Sequence, residues 1–123
     1  MSGKKKILVV DDEQVALKIL SIRLEINGFN VITAQDGAAA LDRARKEKPD
    51  LIVLDLMLPN INGFEVCRML KFDDAYKNIP IIILSALHDQ KERDRAVACG
   101  ADAYFIKPFD LDLLMSKMRS FLE

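Results

Sequence analysis

Four branched aliphatic residues that end in a carboxylate, Leu51-Ile52-Val53-Leu54-Asp55, constrain this chain more than any other stretch. The run is bounded by Pro49-Asp50 on one side and by Pro59 on the other. A continuous apolar run of this length between turn residues reads as a strand buried on both faces, and such strands belong to parallel sheets covered by helices. In open α/β sheets, ligands bind outside the carboxyl ends of the strands, which is where Asp55 stands. Taken alone, an Asp at a strand end is equally well a turn residue. The rest of the chain decides its weight.

The same kind of run recurs. Lys6-Ile7-Leu8-Val9-Val10 ends in Asp11-Asp12-Glu13, Ile81-Ile82-Ile83-Leu84 ends in Ser85, and Ala103-Tyr104-Phe105-Ile106 ends in Lys107-Pro108. Phe29 to Ala34 is a further short strand. Between them lie helical stretches. Gln14 to Asn27 is dense in apolar residues, with Ala16, Leu20, Arg23, Leu24 and Asn27 marking a stripe at three- and four-residue spacing and Gly28 as its stop. Asp36 is an N-cap for a helix that runs to Lys48 and is ended by Pro49. Gly63 to Phe72 and the strongly charged Asp89 to Cys99 follow, the second stopped by Gly100. Asp110 caps a last helix whose apolar side is Leu111, Leu114, Met118, Phe121 and Leu122. Five strands alternating with five helices predict a doubly wound parallel sheet with right-handed crossovers.

Composition narrows the class. At 123 residues, half of them hydrophobic, the chain reads as one globular domain with a proper core. A net charge of −1 supplies no basic field for nucleic acid, and Lys4-Lys5-Lys6 reads as a solvated end. Cys67 and Cys99 have no metal-ligand spacing and read as core thiols. No stretch approaches the ~18 apolar residues of a membrane helix, and no signal-peptide pattern precedes Lys4, so a cytoplasmic protein with no membrane contact is expected.

Four strands deliver a polar residue at one sheet edge: Asp11 and Asp12, Asp55, Ser85 and Lys107. Each has a plain alternative as a helix-start charge, a strand-end cap or a surface lysine; the joint placement carries the argument. In the flavodoxin-like strand order 2-1-3-4-5, the first and third strands are neighbours at the switch point, which draws the three carboxylates into one crevice. Like charges so close repel, and a hard divalent cation resolves the conflict. Mg²⁺ takes one or two carboxylates plus water and leaves room for phosphate oxygens. With Lys107 counted, the crevice carries −2, which one Mg²⁺ neutralises. A carboxylate nucleophile beside a metal is the arrangement of aspartyl-phosphate chemistry.

Ile7-Leu8-Val9-Val10-Asp11-Asp12, Asp55 with Pro59 and Gly63, Ser85-Ala86, and Tyr104 with Lys107-Pro108-Phe109 together resemble a receiver domain of the response regulators of two-component signalling, from about Lys6 to Leu122. The resemblance implies that Asp55 accepts a phosphoryl group from a sensor histidine kinase or phosphotransfer protein. It implies that Asp11 and Asp12 hold Mg²⁺ with the backbone carbonyl of Met57, that Ser85 and Lys107 contact the phosphoryl oxygens, and that Tyr104 is an aromatic switch. It also implies a cis Lys107-Pro108 bond. The expected output is a change at the surface formed by the fourth helix, fifth strand and fifth helix. Homodimerisation on phosphorylation is carried as an expectation, since Lys91, Glu92, Arg93, Asp94 and Arg95 can pair across a symmetric partner. Residues 1–123 are expected to be a single receiver domain with no output domain in this chain, acting as a signalling module rather than a turnover enzyme.

Met57 and Leu87 border the approach of hydrolytic water in such a geometry. Neither side chain orients water through a strong hydrogen bond, so a long-lived phosphoryl group is expected. His88, the sole histidine, reads as an exposed loop residue. Three rival functions remain. A haloacid-dehalogenase-type phosphatase wants a second Asp where Met57 stands. A flavin or nucleotide domain wants a glycine-rich loop where Asp11-Asp12-Glu13 stands. A pure interaction module has no use for the acidic set.

Overall fold

The structure, a computed structural model, describes residues 4–86 and 90–123. The apolar runs form strands β1 (Lys6–Val10), β2 (Asn30–Ala34), β3 (Leu51–Asp55), β4 (Ile81–Ser85) and β5 (Ala103–Ile106). The intervening helices are α1 (Gln14–Ile26), α2 (Gly37–Glu47), α3 (Gly63–Lys71), α4 (Gln90–Ala98) and α5 (Leu111–Leu122). All strand pairs are parallel, in the order β2-β1-β3-β4-β5.

Successive strand side chains point to opposite faces. Leu8, Val10, Ile52, Leu54 and Ile83 therefore meet α2, α3 and α4 through Leu41, Val66, Leu70 and Ala96. Ile7, Val9, Val53, Ile82 and Leu84 meet α1 and α5 through Leu17, Leu20, Leu24, Leu114 and Met118. Every residue of β3 and β4 is buried, because both faces of these strands are covered. This is why they read as unbroken apolar runs rather than as an alternation.

Helix starts are capped by acidic or amide side chains. Glu13 accepts from the backbone N–H groups of Val15 and Ala16, Asp36 from Ala39, Asn62 from Glu65, and Asp110 from Asp112 and Leu113. The observed bounds differ from the sequence reading by about one residue at helix and strand ends. The buried face of α1 differs in kind. It is Leu17, Leu20 and Leu24, not the stripe through Ala16, Arg23 and Asn27. Arg23 and Asn27 are exposed, and so are Val15, Ile19, Ile22 and Ile26. The helix carries two apolar stripes, and its angle against β1 and β2 decides which one is covered. On α5, Met115 joins the expected apolar side as a buried residue.

Gly63 ties the fold to the strand end. A Cβ at this position would lie 2.5 Å from the carbonyl oxygen of Asp55 and 2.7 Å from the Cα of Leu56. The Gly63 N–H also donates to the Leu56 carbonyl at 3.1 Å. The start of α3 is thus packed directly on the backbone that presents Asp55. Gly63→Ala is expected to destabilise the fold by about 2 kcal/mol, since backbone atoms cannot yield as a flexible side chain can. Urea unfolding of the two proteins measures the difference.

Candidate functional site

Sheet register gathers the polar strand ends. Val10 pairs with Leu54, so Asp11 and Asp55 emerge side by side at the carboxyl edge. Asp55 pairs with Leu84 and Ser85 with Ile106, which brings Ser85 and Lys107 to the same edge. The Lys107 N–H donates to the Ser85 carbonyl at 2.8 Å, extending the ladder one residue past β5. The Lys107–Pro108 peptide bond is cis, as the resemblance implied.

The Lys107 ammonium lies between the two carboxylates. Its Nζ is 2.5 Å from Asp55 Oδ2 and 3.2 Å from Asp11 Oδ2. The remaining carboxylate oxygens are held by the backbone. Met57 N–H donates to Asp55 Oδ1 at 2.9 Å, and Glu13 N–H donates to Asp11 Oδ1 at 2.9 Å. Asp55, Asp11 and Ser85 are 6%, 7% and 0% exposed, so these charges sit at the floor of the crevice rather than on the surface. Asp12 is exposed at the rim. The structure therefore converges two of the three carboxylates on Lys107 and leaves the third outside the pair. Tyr104 is half-buried against the cluster on the α2–α4 side of the sheet. Leu87 and His88, and the first residue of the expected fourth helix, Asp89, lie outside the described residues.

Burial pushes the Asp55 carboxyl above its ordinary value. The Lys107 and Met57 hydrogen bonds oppose that shift, and the nearby Asp11 charge adds to it. Burial acts to lower the Lys107 ammonium, but the Asp55 and Asp11 carboxylates outweigh it and hold the lysine above its ordinary value. Asp11, Asp55 and Lys107 together leave an excess of one negative charge in a partly dry site, with Asp12 at its mouth. Every donor there is a hard oxygen. That set suits Mg²⁺, which needs only one or two carboxylates and keeps its own water. Among the described residues, no three His, Cys, Asp or Glu side chains form a closed metal cluster of their own.

One surface beside this site escaped the sequence reading. A groove of about 390 Å³ runs from Asp11 and Lys107 along Pro108, Phe109, Ile19 and Arg23. It adjoins the exposed α1 stripe of Val15, Ile19, Ile22 and Ile26, which are 63%, 56%, 45% and 75% exposed. The signal was present as a four-three-four spacing within the dense apolar run.

A family model described as "Response regulator receiver domain" matches residues 7–119. The chain is 44% identical over 119 residues to "Probable transcriptional regulator ycf27" of Porphyridium aerugineum, covering 97% of this chain and 48% of that protein. It is 43% identical over 118 residues to "Alkaline phosphatase synthesis transcriptional regulatory protein PhoP" of Bacillus subtilis, covering 96% and 48%. The fold superposes on chemotaxis protein CheY4 of Vibrio cholerae with a TM-score of 0.90 at 31% identity, over 98% of this chain and all of that one. The chain belongs to the response regulator receiver family, a class of signalling modules rather than of turnover enzymes. It spans about half the length of the curated relatives it matches. Among the described residues, no helix is long and apolar enough to cross a membrane.

A carboxyl raised by burial destabilises the fold only when ionised. Its cost is therefore present at neutral pH and is lost as pH falls through the raised value towards the ordinary 3.8. Asp55→Asn, a neutral isostere, is expected to melt higher than the parent at pH 7 in chelator. The advantage should shrink as the pH is lowered. Thermal melts across that range check it.

Proposed function

We propose that Asp55 accepts a phosphoryl group from a phosphohistidine of a sensor kinase or phosphotransfer protein, in the cytoplasm and in a Mg²⁺-dependent reaction. The observation that carries this reading is the Asp55 carboxylate, buried at the centre of the sheet edge and bridged to Asp11 by Lys107. Asp11, Asp12, Asp55 and the Met57 carbonyl would hold the cation. Bound there, it neutralises the crowded negative charge and orients the phosphoryl oxygens. The Met57 N–H fixes Asp55 Oδ1 and so aims the carboxylate. An Asp55 oxygen attacks phosphorus as the bond to the histidine nitrogen breaks. Lys107 then exchanges its carboxylate contact for one with the phosphoryl group, and Ser85 offers a hydroxyl to another oxygen.

That exchange releases a tether at the end of β5 and draws on Ser85 at the end of β4. The output surface is α4, β5 and α5. Its groove of about 560 Å³ is lined by Arg93, Val97, Tyr104 and Ile106, with Val97 77% exposed. Homodimerisation on phosphorylation uses this face, where Lys91, Arg93 and Asp94 are exposed. Residues 1–123 serve as one receiver unit. The names of the relatives favour control of transcription as the output of the whole protein.

With a small acyl phosphate, the protein is expected to gain one phosphoryl mass in Mg²⁺ and none in chelator. Asp55→Asn should gain none in either. Equal labelling with and without the cation would overturn the metal dependence. Label loss followed afterwards is expected to be slow, because the exposed Met57 side chain gives a hydrolytic water no strong hydrogen-bond partner.

The α1 stripe beside the site fits a helical phosphodonor. Four exposed branched residues at heptad-like spacing form a seam for an amphipathic helix, and the groove leads from that seam to Lys107. Ile19→Lys is expected to slow transfer from a phosphohistidine protein by about tenfold, the effect of one apolar contact worth ~1.4 kcal/mol. Labelling by the small donor should be unchanged. Comparing the two rates for parent and variant checks this.

A further inference from the structure

Cys67 and Cys99 take no part in the chemistry above. Cys67 lies within α3, and Cys99 is the first residue past α4. They are the chain's two cysteines, 32 positions apart, and both are buried in one cluster. Cys67 Sγ lies 3.5 Å from the Cys99 carbonyl oxygen, and the Cys99 thiol donates to the Ala96 carbonyl at 3.1 Å. The Cys67 thiol is therefore seated directly against the backbone of Cys99. With Cys67 Sγ already against the Cys99 main chain, rotation about the two Cα–Cβ bonds is the movement that brings the sulfurs to a disulfide length of about 2.05 Å. Ala96 and Ala101, which flank Cys99, line the groove between α4 and β5.

We propose that Cys67 and Cys99 form a redox-responsive dithiol, which a hydroperoxide converts to an intramolecular disulfide that ties the end of α4 to α3. Cys99 is the attacking sulfur. The Cys67 hydrogen bond lowers its thiol to about 7 against the opposing effect of burial, whereas the same bond and burial push Cys67 up. The Cys99 thiolate attacks one peroxide oxygen, the O–O bond breaks, and the departing hydroxide takes a proton to leave as water. Cys67 then attacks the sulfur of the resulting sulfenic acid. The S–O bond breaks, and the hydroxide leaves with the Cys67 proton as a second water. Two thiols and one hydrogen peroxide thus give one disulfide and two waters. The bond forms whether or not Asp55 is phosphorylated. Its consequence is a covalent restraint on a helix that presents one wall of the α4–β5 groove.

The test treats the native chain with hydrogen peroxide, then denatures and alkylates it for intact-mass and peptide analysis. The expected product has lost about 2 Da, the two hydrogens, resists alkylation and yields one peptide pair joined at Cys67 and Cys99. Two alkylatable thiols, or oxygen added to either cysteine, would overturn the proposal. Cys67→Ala should still be oxidised at Cys99, as an oxygen adduct, and Cys99→Ala should react far more slowly; equal rates would remove Cys99 as the attacking sulfur. Amide exchange in Gln90–Ala98 of the oxidised parent should slow by about tenfold. Unchanged exchange would show that the bond restrains nothing.

Discussion

Two carboxylates and one ammonium are held together at the end of a sheet whose central strands β3 and β4 are buried throughout, and the rest of the molecule is arranged to make that tolerable. A buried charge is costly unless it is paired and hydrogen-bonded. Asp55 and Asp11 each receive a backbone N–H and share the same lysine. That requires β1, β3 and the end of β5 to terminate at one level, which the parallel register accomplishes. It also requires the turn after β3 to curl back so that Met57 N–H reaches Asp55, and Gly63 permits α3 to begin against that turn. The pairing is incomplete, with one ammonium for two buried carboxylates. The residual negative charge is of the sign that favours a cation, and the strand-end position is where ligands bind in open α/β sheets.

The helices are not held equally. Five residues of α3 are buried, from Gly63 to Leu70, whereas Ala96 is the buried residue of α4. An element attached by so little apolar surface has a low local stability and is readily biased by a small change in contact energy. It sits beside β5, whose end carries Lys107, and near Tyr104, which packs against the same side of the sheet. Lys107 thus stands at the end of the strand beside the least anchored helix of the fold. The Cys67–Cys99 contact lies at the far end of that helix, where it joins the well-anchored α3.

The stretches buried on two sides were legible because burial leaves no choice of residue. Leu51 to Leu54 and Ile81 to Leu84 are apolar throughout, so their strand identity and parallel pairing followed, and Asp55 and Ser85 stood out as the polar residues at their ends. Helix starts were legible where an Asp stood before an apolar stretch, as at Asp36 and Asp110, because the side chain itself satisfies the free N–H groups. The strand pattern put Asp11, Asp12, Asp55, Ser85 and Lys107 at one edge, and the register places Asp11, Asp55, Ser85 and Lys107 there.

What the chain could not state by itself is which of two equivalent faces is covered. On α1, Leu17, Leu20 and Leu24 alternate with Val15, Ile19, Ile22 and Ile26, and both sets have helical spacing. Only the packing of α1 against β1 and β2 buries the first and exposes the second. In the same way, Asp11 and Asp12 are adjacent and chemically alike. The turn that directs Glu13 N–H onto Asp11 turns that side chain inward to Lys107 and leaves Asp12 at the rim. Likewise, the contact between Cys67 and Cys99, 32 positions apart, exists only because α3 and the end of α4 lie side by side on the sheet. Local sequence determines which residues form strands, which side chains cap helices and where polar groups fall along each strand, because these depend on nearest neighbours and period. The choice of face and the meeting of distant side chains depend on how whole elements dock, and that is decided only when the sheet is assembled.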